Sequence, residues 1–99
     1  MKNTILFISF KLKEGASVED FLEATKKLND EYMSKQKGYI SWKQLNEGDT
    51  WVDLLTFETL EDAKRIESND PTDLALNFYS FINLPTCKVN YYSVEKSYK

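Results

Sequence analysis

The segment that most constrains the fold is the apolar run from Thr4 to Lys13. Its β-branched and aromatic side chains predict a strand, in which successive side chains point to opposite faces. The two faces consist of Leu6, Ile8, Phe10 and Leu12 and of Ile5, Phe7, Ser9 and Lys11. An antiparallel sheet that is covered on one side only is polar on the other, and both faces of this strand are largely apolar. The sheet that contains this strand therefore needs cover on both sides.

A helix is predicted after this strand. Ser17 and Asp20 have the three-residue spacing of a capping box, with Asp in place of the usual Glu or Gln. Apolar residues then recur at helical spacing and charged residues take the opposite side. We expect this amphipathic helix to run to about Lys35 and to end at Gly38, since glycine favours the positive φ found after many helices.

A hairpin is predicted next. The strand from Tyr39 to Asn46 precedes a loop that turns on Gly48, and the strand from Trp51 to Phe57 returns from it. Alternation along the returning strand places Trp51, Asp53, Leu55 and Phe57 on one face.

The second helical region is predicted in two parts. Thr59 and Asp62 repeat the capping spacing, and the pattern breaks between Ser68 and Pro71. Asp70 as N-cap and Pro71 as first helical residue predict a restart. The apolar stripe of this second part is Leu74, Phe78, Phe81 and Ile82. We expect the segment to end at Leu84 and Pro85, and a last strand to run from Cys87 to Glu95.

The predicted order is β-α-β-β-α-β, in one domain over residues 1–99. Right-handed crossovers fold this order into the α+β, ferredoxin-like split βαβ arrangement, a four-stranded antiparallel sheet with the helices on one face. The other face would carry Leu45, Val52 and Leu54 and one face of the first strand. Because large bare apolar patches are rare on monomers, we expect a homodimer in which two sheets face each other.

Composition and charge limit the classes of binding partner and the cellular location that we expect. The net charge of −3 and the dispersed lysines leave no basic stripe, so neither nucleic acid nor an acidic membrane surface is an expected partner. Cys87 is the single cysteine, which excludes an intrachain disulfide and favours a reducing compartment. The apolar run near Ile5 is too short for a secretion signal, and we expect a cytoplasmic protein.

Three stretches of the chain resemble a known superfamily. They are Phe10-Lys-Leu-Lys-Glu-Gly15 before a Ser-capped helix, Lys37-Gly-Tyr-Ile-Ser-Trp42, and Trp51-Val-Asp-Leu-Leu-Thr-Phe57 with the following Glu58-Thr-Leu-Glu-Asp-Ala63. The likeness is to the dimeric α/β-barrel superfamily, and within it to antibiotic-biosynthesis-monooxygenase-like domains. It spans nearly the whole chain, and its motifs are turn and packing signals.

This resemblance implies two ferredoxin-like subunits paired into a barrel, with a small-molecule pocket between the sheet and the helices of each. Activities in the superfamily include cofactor-free oxygenation of polycyclic phenols, haem degradation, polyketide cyclisation and muconolactone isomerisation, so the fold alone selects none. The chain has no histidine, which removes a His-ligated haem. Phe57 stands where many relatives carry tryptophan. No calcium-type loop or Gly-rich phosphate loop is present, and we expect no metal and no cofactor.

The candidate catalytic residues are Asp53 and Tyr39. Asp53 lies between Val52 and Leu54 in a strand that otherwise reads as buried, and ionised carboxylates are seldom buried without a partner. One interpretation is structural: Asp53 meets Lys11, Lys43 or a backbone donor, or lies at a sheet edge in water. The other is a pocket acid or base with a raised pKa. A buried phenol such as that of Tyr39 needs a hydrogen-bond partner and can also protonate or orient a substrate.

The candidate ligand-binding residues are aromatic or polar side chains near the predicted pocket. They are Trp42, Trp51, Tyr32, Phe57 and Tyr79, with Ser9 and Lys11 as polar groups on the first strand. The aromatic residues could stack on an aromatic ligand, or they could be core or dimer contacts, which are the commoner roles. Ser9 and Lys11 could equally reflect strand alternation with solvent at one end.

Three functions remain open from the sequence. The first is a small-molecule-binding domain that performs cofactor-independent oxidation or isomerisation of an aromatic or polyketide-like compound. The alternative is a non-catalytic homodimeric structural or interaction module, whose core would be filled. The third is an enzyme of another type on the same fold.

Overall fold

The computed structural model describes residues 2–69 and 71–99. The elements are β1 (Thr4–Leu12), α1 (Val18–Glu31), a short 3-10 turn (Met33–Lys35), β2 (Tyr39–Glu47), β3 (Thr50–Phe57), α2 (Leu60–Ser68), α3 (Asp73–Tyr79) and β4 (Ile82–Ser93). None of the helices in this part of the chain is both long and apolar enough to cross a membrane.

The four strands form one antiparallel sheet in the order β2-β3-β1-β4. In this order β1 and β3 are central, as the ferredoxin-like prediction requires, and the predicted fold class is confirmed. Two register shifts interrupt the ladders, one in β2 between Tyr39 and Ser41 and one where β1 passes β4 between Ser9 and Lys11. Such irregularities bend a strand and increase its twist.

Side-chain caps start the helices. The Ser17 hydroxyl accepts a hydrogen bond from the Asp20 amide at 3.2 Å, and that of Thr59 accepts one from the Asp62 amide at 3.1 Å. Both contacts satisfy an amide that lacks a partner within its own helix. The two predicted helix starts are therefore confirmed.

The second helical region differs from its prediction in detail. The cap of α3 is Thr72, whose hydroxyl accepts from the Ala75 amide at 3.1 Å; the predicted cap, Asp70, lies outside the described residues. The predicted apolar stripe of this helix extends too far, because Ile82 is the first residue of β4. Pro85 lies inside this edge strand, close to the register shift, where an amide is not needed for the ladder.

The first helix is also shorter than predicted. It ends at Glu31, and a 3-10 turn carries the chain on to Lys35. Tight turns of this kind are common at helix C-termini. The turn buries Met33 against the core.

The core lies between the sheet and the helices, which cover one face only. Phe21 of α1 is fully buried and packs against Phe10, Trp51, Phe78 and Phe81 at centroid distances of 5.3–6.0 Å. The covered face of the sheet carries Leu6, Phe10, Leu55 and Phe57 in this core.

The other face of the sheet carries no helix. Its central strands present Ile5, Phe7, Val52 and Leu54, all partly buried by their neighbours. Tyr92 of β4 is 55% exposed and meets the Phe7 ring edge-on at 6.1 Å. The apolar character expected of the second face is present.

Candidate functional site

A cavity lies between the helices and the covered face of the sheet. Its inner chamber has a volume of about 100 Å³. The walls are Leu6, Ile8, Leu28, Met33, Trp42, Asp53, Leu55, Ile66, Glu67, Phe78 and Tyr79. This apolar lining with a few polar atoms is typical of small-molecule sites.

An outer chamber of about 230 Å³ adjoins the inner one. Its walls are Leu28, Tyr32, Met33, Ile66, Glu67, Asn69, Pro71, Thr72, Ala75 and Tyr79. Five of these residues line both chambers, so the two spaces share a wall of Leu28, Met33, Ile66, Glu67 and Tyr79. The outer chamber therefore adjoins the inner one along these side chains.

Asp53 is the polar centre of the inner chamber. It sits in β3 between Ile8 of β1 and Gln44 of β2, and it is only 2% exposed. Its Oδ1 atom has no hydrogen-bond partner in residues 2–69 and 71–99. Burial raises the pKa of Asp53 to about 6, and the nearby N–H groups of Trp42 and Gln44 oppose only part of that rise.

Trp42 supplies a donor to the same chamber. Its ring packs edge-on against Phe78 at 5.5 Å, which fixes the indole in the wall. Its Nε1 atom is buried and lies close enough to the Asp53 carboxyl group to lower the pKa of that group, but it forms no well-aligned hydrogen bond within the described chain. Leaving a buried donor and a buried acceptor unsatisfied costs about 1–3 kcal/mol each, so native structures keep such groups where a ligand or water uses them.

Gln44 links the chamber to helix α1. Its side-chain amide donates to the Thr25 hydroxyl at 3.2 Å, and that hydroxyl donates to the Phe21 carbonyl at 3.0 Å. These two hydrogen bonds hold the Gln44 amide beside Asp53. Gln44 was not among the predicted site residues, although period-2 alternation places it on the same face as Trp42.

The walls of the outer chamber include aromatic and acidic side chains. Tyr32 and Tyr79 line the outer chamber with Glu67, and the Tyr91 hydroxyl donates to Glu67 Oε2. Burial first, and then the charges of Glu67 and Tyr32, raise the pKa of Tyr79. Glu67 comes directly after Ile66, the last apolar residue of the helical pattern in α2, and no sequence signal pointed to it.

Three predicted residues on the covered side lie outside the cavity walls. The Tyr39 hydroxyl donates to Asn29 Oδ1 at 2.5 Å, and its ring meets Phe57 edge-on at 5.9 Å. Phe57 is fully buried in the core, and Trp51 packs against Phe21. Their contacts are those of core residues.

Ser9 and Lys11 are on the opposite face of the sheet from Asp53, because odd positions of β1 point away from the helices. Lys11 Nζ is 3.5 Å from Asp49 Oδ2, and both side chains are more than half exposed. Lys11 therefore does not pair with Asp53. The structure brings together Asp53, Trp42, Tyr32 and Tyr79 of the predicted set.

The arrangement can accept and hold a proton. A carboxylate with a pKa near 6 is mostly ionised at neutral pH and is a stronger base than an exposed Asp. Trp42 can donate to an oxygen of a molecule bound beside it. No group of three or more His, Cys, Asp or Glu side chains that could hold a metal ion occurs in the described part of the chain.

The fold and the site define an α+β, ferredoxin-like domain with a buried carboxylate in a chamber between sheet and helices. No family model and no curated protein matches the chain. Solved structures do match it. SnoaB from Streptomyces nogalater, described as a cofactor-independent oxygenase, has a TM-score of 0.77 at 11% identity, over 98% of this chain and 97% of its own.

Two further matches are proposed antibiotic biosynthesis monooxygenases. The protein from Nitrosomonas europaea has a TM-score of 0.69 at 19% identity, over 94% of this chain and 90% of its own. The protein from Bacillus cereus has a TM-score of 0.63 at 17% identity, over 100% and 99%. The chain has the fold of antibiotic-biosynthesis-monooxygenase-like domains, and the resemblance seen in the sequence is confirmed at the level of fold.

Proposed function

We propose that this protein binds a small aromatic or polyketide-like compound between sheet and helices and oxidises or isomerises it without a cofactor. The observation that carries the proposal is Asp53, which is 2% exposed, lines the inner chamber and has one oxygen without a hydrogen-bond partner among the described residues. The description of SnoaB as a cofactor-independent oxygenase supports the same chemistry. The chamber also favours this function over a non-catalytic module, for which we expected a filled core.

The volumes limit the size of the ligand. A cavity of about 150 Å³ holds benzene, and ordinary ligand pockets begin near 300 Å³. The inner chamber of about 100 Å³ and the outer one of about 230 Å³ therefore suit a compound of one or two rings. Because the inner chamber is smaller than a benzene cavity, the ring would lie in the outer chamber and a smaller group of the ligand would reach Asp53.

In the proposed chemistry, Asp53 removes a proton from an acidic carbon of the ligand, and Trp42 Nε1 donates to the oxygen on which the negative charge develops. Isomerisation follows when the proton returns to another carbon. Oxidation follows when dioxygen reacts at the deprotonated carbon, so that a methylene group and O₂ become a carbonyl group and water. Both outcomes depend on the same proton transfer.

Exchange with D₂O tests that shared step. One- and two-ring enolisable ketones and phenols are incubated with the protein, and deuterium incorporation and O₂ consumption are followed by mass spectrometry and an oxygen electrode. Asp53→Asn should lower the exchange rate by about 10²–10⁴-fold, the usual contribution of a general base. Asp49→Asn, an exposed carboxylate on the β2–β3 turn, is the matched control and should exchange normally.

Two results would contradict the proposal. One is that no compound in the series exchanges faster with the protein than in buffer. The other is that Asp53→Asn and Asp49→Asn exchange at the same rate. Dioxygen uptake would separate the two reactions, because only the oxidation consumes it.

We also propose that the protein forms a homodimer through the bare sheet face. Phe7, Val52 and Leu54 form an apolar centre on that face, and two copies can cover each other because a two-fold interface is self-complementary. Light scattering at micromolar concentration should give twice the 11.6 kDa of the chain. A mass of one chain would contradict the dimer. A cytoplasmic location, expected from the single cysteine, stays a prediction for cell fractionation.

A further inference from the structure

The charges around the cavity are of one sign. The ionisable carboxylates that line it are Asp53 in the inner chamber and Glu67 in the wall that both chambers share. No lysine or arginine is among the described residues of either lining. A bound anion would meet two acids, the buried Asp53 and the solvent-exposed Glu67.

The outer chamber adds aromatic side chains to one of these acids. Tyr32 and Tyr79 line it beside Glu67, and the Asn69 amide donates to the Tyr32 hydroxyl at 3.4 Å. Tyrosine rings attract cations, and a carboxylate among aromatic rings is the arrangement that recognises ammonium groups.

Glu67 is available for this role. The Tyr91 hydroxyl donates to its Oε2 atom, and Glu67 forms no salt bridge within residues 2–69 and 71–99. Of the two cations on the same helix, Lys64 lies over the Tyr91 ring, 5.9 Å from its centroid, and Arg65 pairs with Glu61 and Asp62. The counter-charge that Glu67 lacks in the protein can come from a ligand.

We propose that the outer chamber, bounded by Glu67, Tyr32 and Tyr79, binds a protonated amine or quaternary ammonium group of the ligand. The adjoining chamber supports a ligand here as well, because Asp53 is a buried carboxylate whose Oδ1 atom has no hydrogen-bond partner in the described part of the chain. The inference rests on the ligand cavity of the proposed function and adds the class of compound, an aromatic amine or ammonium compound. The amine lies near Glu67 and the ring lies in the outer chamber, because the inner chamber of about 100 Å³ is smaller than the cavity of about 150 Å³ that holds benzene.

Three phenyl probes that share a two-carbon linker and differ in charge test this. They are 2-phenylethylamine, 2-phenylethanol and 3-phenylpropionate, titrated at neutral pH and low salt with chemical shifts of the aromatic side chains as the readout. The amine should bind at least ten-fold more tightly than the alcohol, and the acid more weakly than both. Raising the salt to 0.5 M should reduce the preference for the amine, because screening weakens the ion pair.

Glu67→Gln keeps an acceptor for Tyr91 and removes the charge. In this variant the affinity for the amine should fall to within about two-fold of that for the alcohol, while the alcohol binds as before. Glu23→Gln, the same change on the exposed side of α1, is the control and should keep the preference.

The outcomes separate this inference from the proposed function. If the alcohol binds and the amine does not bind more tightly, or if Glu67→Gln keeps the preference, the amine site is wrong and the aromatic cavity stands. If the amine preference is present but Asp53→Asn exchanges protons normally, the amine site stands and the proposed chemistry is wrong. If none of the three probes binds, both are contradicted.

Discussion

The two faces of the sheet are both apolar and are used differently. On the helix-covered face the packing is interrupted by a chamber with a buried carboxylate, Asp53, and a buried indole N–H, that of Trp42. On the bare face, Phe7 and Leu54 lie opposite each other in regular strands, and the cavity does not extend to them. Burial alone therefore does not distinguish the site from the rest of the sheet. The site is distinguished by buried polar atoms without hydrogen-bond partners in the described chain, because such atoms cost stability unless a ligand supplies the partner.

Two phenylalanines on opposite faces give the largest expected effect. Phe57→Ala should lower the free energy of unfolding by about 3–5 kcal/mol, the usual cost of removing a buried ring, because Phe57 is fully buried. Phe7→Ala removes a ring that is only partly buried in one chain. Its loss should be smaller and should grow with protein concentration, since the ring would lie in the dimer interface.

Urea unfolding at two protein concentrations measures both variants. Equal losses for Phe57→Ala and Phe7→Ala, independent of concentration, would mean that the faces are alike and that no second copy covers the bare one.

A smaller effect is expected from the pH dependence of Asp53. Its pKa is about 6 in the folded chain against an ordinary value of 3.8, so the folded state holds the proton more tightly. The contribution of Asp53 to the free energy of unfolding should therefore be highest below pH 4 and fall as pH rises to about 6, by about 3 kcal/mol for this shift. Asp53→Asn removes this loss, and should gain stability relative to the natural chain as pH rises.

Urea unfolding at pH 4 and pH 7.5 measures this difference, and Asp49→Asn serves as the exposed control. If Asp53→Asn showed the same change with pH as the natural chain, the carboxyl group would not carry the cost of burial.

Much of this fold could be predicted because its signals are local. The caps at Ser17 and Thr59 depend on residues three positions apart, and alternation around Asp53 marked it as a charge in a buried strand. The predicted start of α3 was wrong because the sequence has two good N-cap candidates, Asp70 before Pro71 and Thr72. Local sequence does not decide between them. Local preference is a weak guide where neighbours compete.

The site was less predictable than the fold. Alternation placed Ser9 and Lys11 on one face of β1, but both faces of that strand are apolar, so the sequence did not say which one the helices and Asp53 share. Glu67 enters the wall of the cavity through the packing of α2 on the sheet. Contacts between elements distant in sequence decide such positions, and no spacing rule reports them.

One measurement tests whether Asp53 is a buried base in the ligand chamber. It is the pKa of the Asp53 carboxyl group, followed by ¹³C NMR from pH 3 to 9, with Asp53→Asn used to assign the signal. We expect a midpoint near 6, set by burial in the chamber. Addition of 2-phenylethanol should shift the signal, because a ligand in the chamber contacts the carboxyl group. A midpoint near the ordinary 3.8, unchanged by any aromatic probe, would contradict it.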